Sequence, residues 1–154
     1  MAPIRVVGVG SPHGDDAIGL EVIRRLRARQ KDFRGVEFIE IDSGQRLLDL
    51  LDGQGRLILI DALADAEQAG AVVRLEWPDA RLEVLRPGST HRMRPAEALQ
   101  LAEALGLLPA RIVFFGITIR KSDIGNEESQ ISSVVSSVIP LAVQRIEQEL
   151  AQSE

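Results

Sequence analysis

The stretch "RLILID" at residues 56–61 is apolar on both faces of any extended chain, from Leu57 through Ile60. A strand of that kind is covered on both sides, as in the middle of a parallel sheet, and does not lie with one face in water. Four further runs read as strands: "IRVVGVG" (4–10), "GVEFIEI" (35–41), "AGAVVRLEW" (69–77) and "ARIVFFGITI" (110–119). Helical patterns alternate with them. Residues 15–29 place Ile18, Val22, Ile23 and Leu26 on one face. Residues 43–51 form a short second helix. Residues 94–105 form a third, with Pro95 at its start and Gly106 just past its end. A last helix is expected over roughly 128–151, interrupted at Pro140. Alternating strands and helices predict an α/β chain, a three-layer α/β/α sandwich around a mostly parallel, twisted five-stranded sheet. Strand 69–77 follows its predecessor too closely for a helical crossover and is expected as one antiparallel edge strand.

With 154 residues, the chain fits a single domain over 1–154 with a real core. No internal repeat or linker divides it. Aromatic residues are only 3 % of the chain, so aliphatic side chains must fill the core, which argues against platforms for stacking nucleic-acid bases. A net charge of −5 argues against a phosphate-backbone partner. The absence of cysteine excludes disulfides, thiolate metal sites and a cysteine nucleophile. No apolar run approaches the ~18 residues of a membrane span, and no signal peptide precedes the first strand. A cytoplasmic, monomeric enzyme or binding protein is the expectation.

In doubly wound sheets, sites form beyond the carboxyl ends of the strands. Those ends carry Ser11, His13, Asp15 and Asp16 after the first strand. Asp42, Ser43 and Gly44 follow the second, and Asp61 ends the third. Ser89, Thr90 and His91 follow the fourth, and Thr118, Arg120 and Lys121 the fifth. Gly8 and Gly10 begin a dinucleotide fingerprint, but His13 stands at its third glycine position, and Asp15 and Asp16 occupy the helix start that a pyrophosphate would need. Two carboxylates there suit a cation instead. Asp15 is expected to cap the first helix. Asp16, Asp61 and His91 are the candidate set for a divalent ion, with coordination positions left open for water or substrate.

The blocks "GVGSPHGDDAIG" (8–19), "LILIDAL" (57–63), "STHRMRPAEALQLAEALGLLP" (89–109) and "VFFGI" (113–117) resemble the [NiFe]-hydrogenase maturation proteases, in order and across nearly the whole chain. The resemblance implies an endopeptidase that removes a C-terminal extension from the hydrogenase large-subunit precursor once nickel is inserted. It implies that the nickel is carried by the substrate. It places the family's metal-contacting acids on Asp16 and Asp61 and its histidine on His91, so these are the expected catalytic and metal-contacting residues. The glycine-containing turn after the second strand falls on Asp42-Ser43-Gly44, where Asp42 and Gly44 form a substrate loop and Gly44 gives it freedom to move. Ser11 departs from the family's usual asparagine, and "GITIRK" departs from the usual proline after the fifth strand. Either a carboxylate or the metal could activate the attacking water.

Two other readings use the same residues. A non-proteolytic nickel-binding assembly factor would need the same three ligands, although two histidines in the chain do not make a high-capacity store. A receiver-like phosphoacceptor domain would use Asp15, Asp16, Asp61 and Lys121. In that reading the acidic pair comes a loop too late and His91 has no task.

Overall fold

Five strands form one sheet in the order β2-β1-β3-β5-β4. The structure is a computed structural model, and it describes residues 3–11, 14–64, 68–80, 93–120 and 131–152. The strands are β1 (Ile4–Val9), β2 (Val36–Ile41), β3 (Arg56–Ala64), β4 (Val72–Glu76) and β5 (Arg111–Ile119). β1 pairs in parallel with β2 and β3, and β3 in parallel with β5. β4 runs antiparallel to β5 at the edge, as its short connection requires. The expected fold class is therefore the observed one. The helices are α1 (Ile18–Arg27), α2 (Gly44–Leu50), α3 (Pro95–Ala104), α4 (Ser133–Ser136) and α5 (Ile139–Ala151).

The central strand divides its side chains between two cores, because successive residues of a strand face opposite sides. Ile58 and Ile60 pack with Ile18, Val22, Ile23 and Leu26 of α1 and with Ile139 and Ile146 of α5. Leu57 and Leu59 pack with Leu47 of α2 and with Ala98, Leu99 and Ala102 of α3. Both faces of the sheet are thus covered, as the apolar run demands.

Local differences from the sequence reading have clear causes. The first helix is preceded by a 3-10 turn over Gly14–Ala17, so α-helical geometry starts only at Ile18. The interruption expected at Pro140 is present: α4 ends at Ser136, and Pro140 sits in the first turn of α5, where its missing N–H costs nothing. β3 runs on to Ala64, beyond the expected end at Asp61. One backbone carbonyl of each edge strand is taken by an arginine. Arg27 donates to the Phe38 carbonyl at 3.1 Å and Arg145 to the Val72 carbonyl at 3.2 Å, which blunts both edges against pairing with another chain.

Candidate active site

The strand order reverses between β1 and β3, and a doubly wound sheet opens its crevice at such a point. β1 pairs with β3 only as far as Ile60, so Asp61 is the first β3 residue past the end of β1. Toward β5 it is still within the strand, opposite Gly116. Asp61 is therefore a mid-strand residue on one side and a strand-end residue on the other. Its parity with Leu57 and Leu59 sends its side chain to the α2–α3 face. It is 5 % exposed, and its Oδ1 accepts the N–H of Ala62 at 2.8 Å.

Asp16 reaches the same place from the 3-10 turn. Its backbone carbonyl accepts the N–H of Ser11 at 3.3 Å, and its Oδ2 accepts the Ser11 hydroxyl at 2.7 Å. Gly10 makes this clasp feasible, since a Cβ there would run into the Asp16 carbonyl. Gly8 serves the same close approach one step earlier, where a side chain would meet the carbonyl of Gly19. The glycines that resemble a nucleotide fingerprint pack α1 onto β1.

Asp16 and Asp61 line one cavity of about 250 Å³, together with Ser11, Asp42, Ser43 and Arg94. Met93 and Pro95 are also in its wall. Ser43, the N-cap of α2, and Arg94 and Pro95 at the start of α3 line it, so the positive ends of both helices offset part of the carboxylate charge. Asp42 is exposed, with its Oδ1 3.8 Å from the Arg46 guanidinium. It also borders a second cavity of about 240 Å³, floored by Leu20 and Ile41.

Gly44 corrects an expectation. It is buried, its N–H donates to the Met93 carbonyl at 2.7 Å, and any side chain would strike the Arg94 carbonyl. The glycine seats α2 against the start of α3 instead of freeing a loop. Asp15 corrects another. It does not cap α1, whose N-cap position is Ala17 without a side-chain bond. The Asp15 carboxylate is 5 % exposed and accepts the Ser132 N–H at 2.6 Å and the Ser132 hydroxyl at 3.0 Å. It is bonded instead to Ser132, the residue that N-caps α4.

His91, like His13, Ser89, Thr90 and Lys121, lies outside the described residues. Among the described residues, no three His, Cys, Asp or Glu side chains converge as a metal cluster. The cavity wall at Arg94 was not foreseen from sequence. Arg94 is held by Glu97, whose Oε1 accepts the Arg94 Nε at 2.8 Å and its backbone N–H at 3.2 Å. The hydrogen bond from Arg94 holds the Glu97 carboxyl below its ordinary value. The visible signal was Pro95, which marks the helix start that brings this segment to the strand ends.

The architecture recurs in solved hydrogenase-processing enzymes. The hydrogenase maturating endopeptidase HybD of Escherichia coli is 23 % identical, with 97 % of this chain and 93 % of that one aligned at a TM-score of 0.76. HybD of Thermococcus kodakarensis, a [NiFe] hydrogenase maturation protease, is 22 % identical over 96 % of this chain and 99 % of that one, at 0.71. HycI of the same organism is 20 % identical over 97 % and 93 %, at 0.66. Curated protein sequences gave no match. The family profile for the hydrogenase maturation protease HycI matches residues 20–149. That match covers most of the chain, from within α1 to the last turn of α5, and on it the chain belongs to the hydrogenase maturation protease family.

Proposed function

We propose that this peptidase cuts the C-terminal extension from a [NiFe]-hydrogenase large-subunit precursor that already holds nickel, and that the ion arrives with the substrate. The observation that carries the reading is the shared cavity of Asp16 and Asp61 at the reversal of strand order. Carboxylate oxygens are hard donors, and with one imidazole they suit a divalent ion such as nickel. His91 is the proposed imidazole. It stands two positions before Met93, which lines the cavity. Selectivity follows from charge: Asp16, Asp42 and Asp61 around the cavity, against Arg94, favour a substrate that brings a cation over the same polypeptide without one. The volume of about 250 Å³ exceeds the ~30 Å³ share of a water several-fold, so an attacking water and part of a peptide fit together.

The test is to incubate the purified protein with the precursor, with and without nickel, and to weigh the precursor by mass spectrometry. Loss of a C-terminal peptide only from the nickel-loaded sample is expected. Asp16→Asn, folded by its amide spectrum, is expected to leave the precursor uncut. Normal processing by that folded variant would overturn the assignment.

A further inference from the structure

The clasp between Ser11 and Asp16 has a chemical consequence of its own. A carboxylate that is to meet a cation must hold one rotation about its Cβ–Cγ bond, and groups behind it set that rotation. Here the group is a hydroxyl. Ser11 Oγ donates to Asp16 Oδ2 at 2.7 Å, the short distance of a hydroxyl bound to a charged acceptor. The same serine holds the aspartate's backbone through its N–H, at 3.3 Å to the Asp16 carbonyl. Main chain and side chain are thus fixed from one residue. That residue also lines the cavity. Asp15, the other aspartate of the turn, accepts both hydrogen bonds of Ser132 and so is engaged away from the cavity.

The geometry points to Ser11 as a positioning residue that aims the Asp16 carboxylate at a cation entering the cavity. The inference rests on the cation reading of this cavity. A serine offers a single hydroxyl that can donate while its own lone pairs face the cavity, whereas alanine at this position leaves the backbone clasp intact and removes only the aim. Threonine keeps the hydroxyl.

The full chain, labelled with ¹⁵N, is titrated with Ni²⁺ alone. The paramagnetic ion broadens nearby amide signals, and the same spectra report the fold. Ser11→Ala is expected to keep its spectrum and thermal midpoint and to raise the apparent Kd for Ni²⁺ about tenfold or more, the usual effect of losing a partner behind a metal ligand. Ser11→Thr is expected to restore affinity to within about twofold of wild type. Asp16→Asn and Asp61→Asn are run beside them. If both aspartate variants lose Ni²⁺ while folded Ser11→Ala binds like wild type, the role of Ser11 is overturned and the cation reading stands. If Ser11→Ala only lowers the thermal midpoint, the serine is a loop clasp and the inference fails. If the aspartate variants bind like wild type, or wild type shows no local broadening, this inference falls, while the cation reading is decided by the processing of nickel-loaded against nickel-free precursor.

Discussion

Two adjacent aspartates in one short turn do unrelated work, and burial with hydrogen bonding separates them. Asp16 faces a cavity, while Asp15 is buried against Ser132, 117 residues away. Ser132 also N-caps α4, its Oγ accepting the Val135 N–H at 3.3 Å. Asp15 therefore ties the site's turn to the start of the last helices. Asp15→Ala removes a charged acceptor from two donors and strands a backbone N–H, so a loss of about 2–3 kcal/mol is expected. Asp15→Asn keeps one acceptor oxygen and is expected to cost about 1 kcal/mol. Chemical denaturation of both variants measures this, and equal stability of Asp15→Ala and wild type would remove the tie. This part of the site was not legible in the sequence. A DD pair at a helix start reads as a cap, and nothing local in the chain names a partner so far along it. That Asp16 and Asp61 would line one crevice was legible from the alternation of strands and helices, although β3 runs past Asp61 to Ala64. Arg94 and the packing of Gly44 were not, since both depend on how α2 and α3 meet.

At the scale of elements, the same alternation of strands and helices that predicts the layers leaves the spacing between them to glycine. Gly19 lies inside α1, where alanine ordinarily gains about 1 kcal/mol over glycine. A Cβ there would run into the carbonyl of Val9 and stand 2.6 Å from that of Ile60. Those carbonyls belong to two interior strands and cannot withdraw. Overpacking of that kind costs ~1–3 kcal/mol and exceeds the gain in propensity, so Gly19→Ala is expected to destabilise by about 1–2 kcal/mol. Gly106 gives the contrasting case. It ends α3 with φ of +71°, and a methyl group added there would have no atom of the described residues within 4 Å. Gly106→Ala meets no such neighbour and is expected to cost about 1 kcal/mol through its backbone alone. Thermal midpoints distinguish the two when a second change relieves the strain. Gly106→Asn, which tolerates the left-handed region, is expected to recover most of the loss. No comparable residue rescues Gly19. The helix boundaries near these glycines were readable from Pro95 and Gly106. The 3-10 turn before α1, which Ser11 clasps at Asp16, was not.

Across the whole molecule, polarity is divided between the two ends of the sheet. The carboxyl end gathers aspartates around the cavity. At the other end, Arg56 opens β3 and Arg111 opens β5. Both guanidinium groups lie near Glu149 of α5, at 3.6 Å and 3.8 Å, and Arg74 of β4 donates to Glu149 at 2.6 Å. Glu149 is 5 % exposed, and the Arg56 guanidinium nitrogens are buried without a hydrogen-bond partner among the described residues. The Glu149 charge is thus what makes three arginines tolerable against the end of the last helix. The hydrogen bond from Arg74 holds its carboxyl below the ordinary value of 4.5, with the charges of Arg74, Arg111 and Arg56 adding to it and burial opposing them. With the folded value depressed, the unfolded chain binds the proton more readily. The stabilisation is complete above the unfolded value and is lost as pH falls through the folded one. Removing one partner of a buried ion pair costs ~3–5 kcal/mol. Arg74 is 36 % exposed, so solvent screens it and Glu149→Gln is expected to cost about 2 kcal/mol at neutral pH. Below pH 4.5 the wild type is expected to lose that advantage and the two stability curves to converge. Denaturant unfolding of both proteins from pH 7 downward checks it, and a gap that stays constant into acid would show that the carboxylate's charge is not what holds this end of the sheet together. Because Glu149 lies at the opposite end of the strands from Asp16 and Asp61, the folded variant is expected to process precursor at neutral pH as wild type does. A loss of processing without a loss of fold would mean that the two ends of the sheet are coupled.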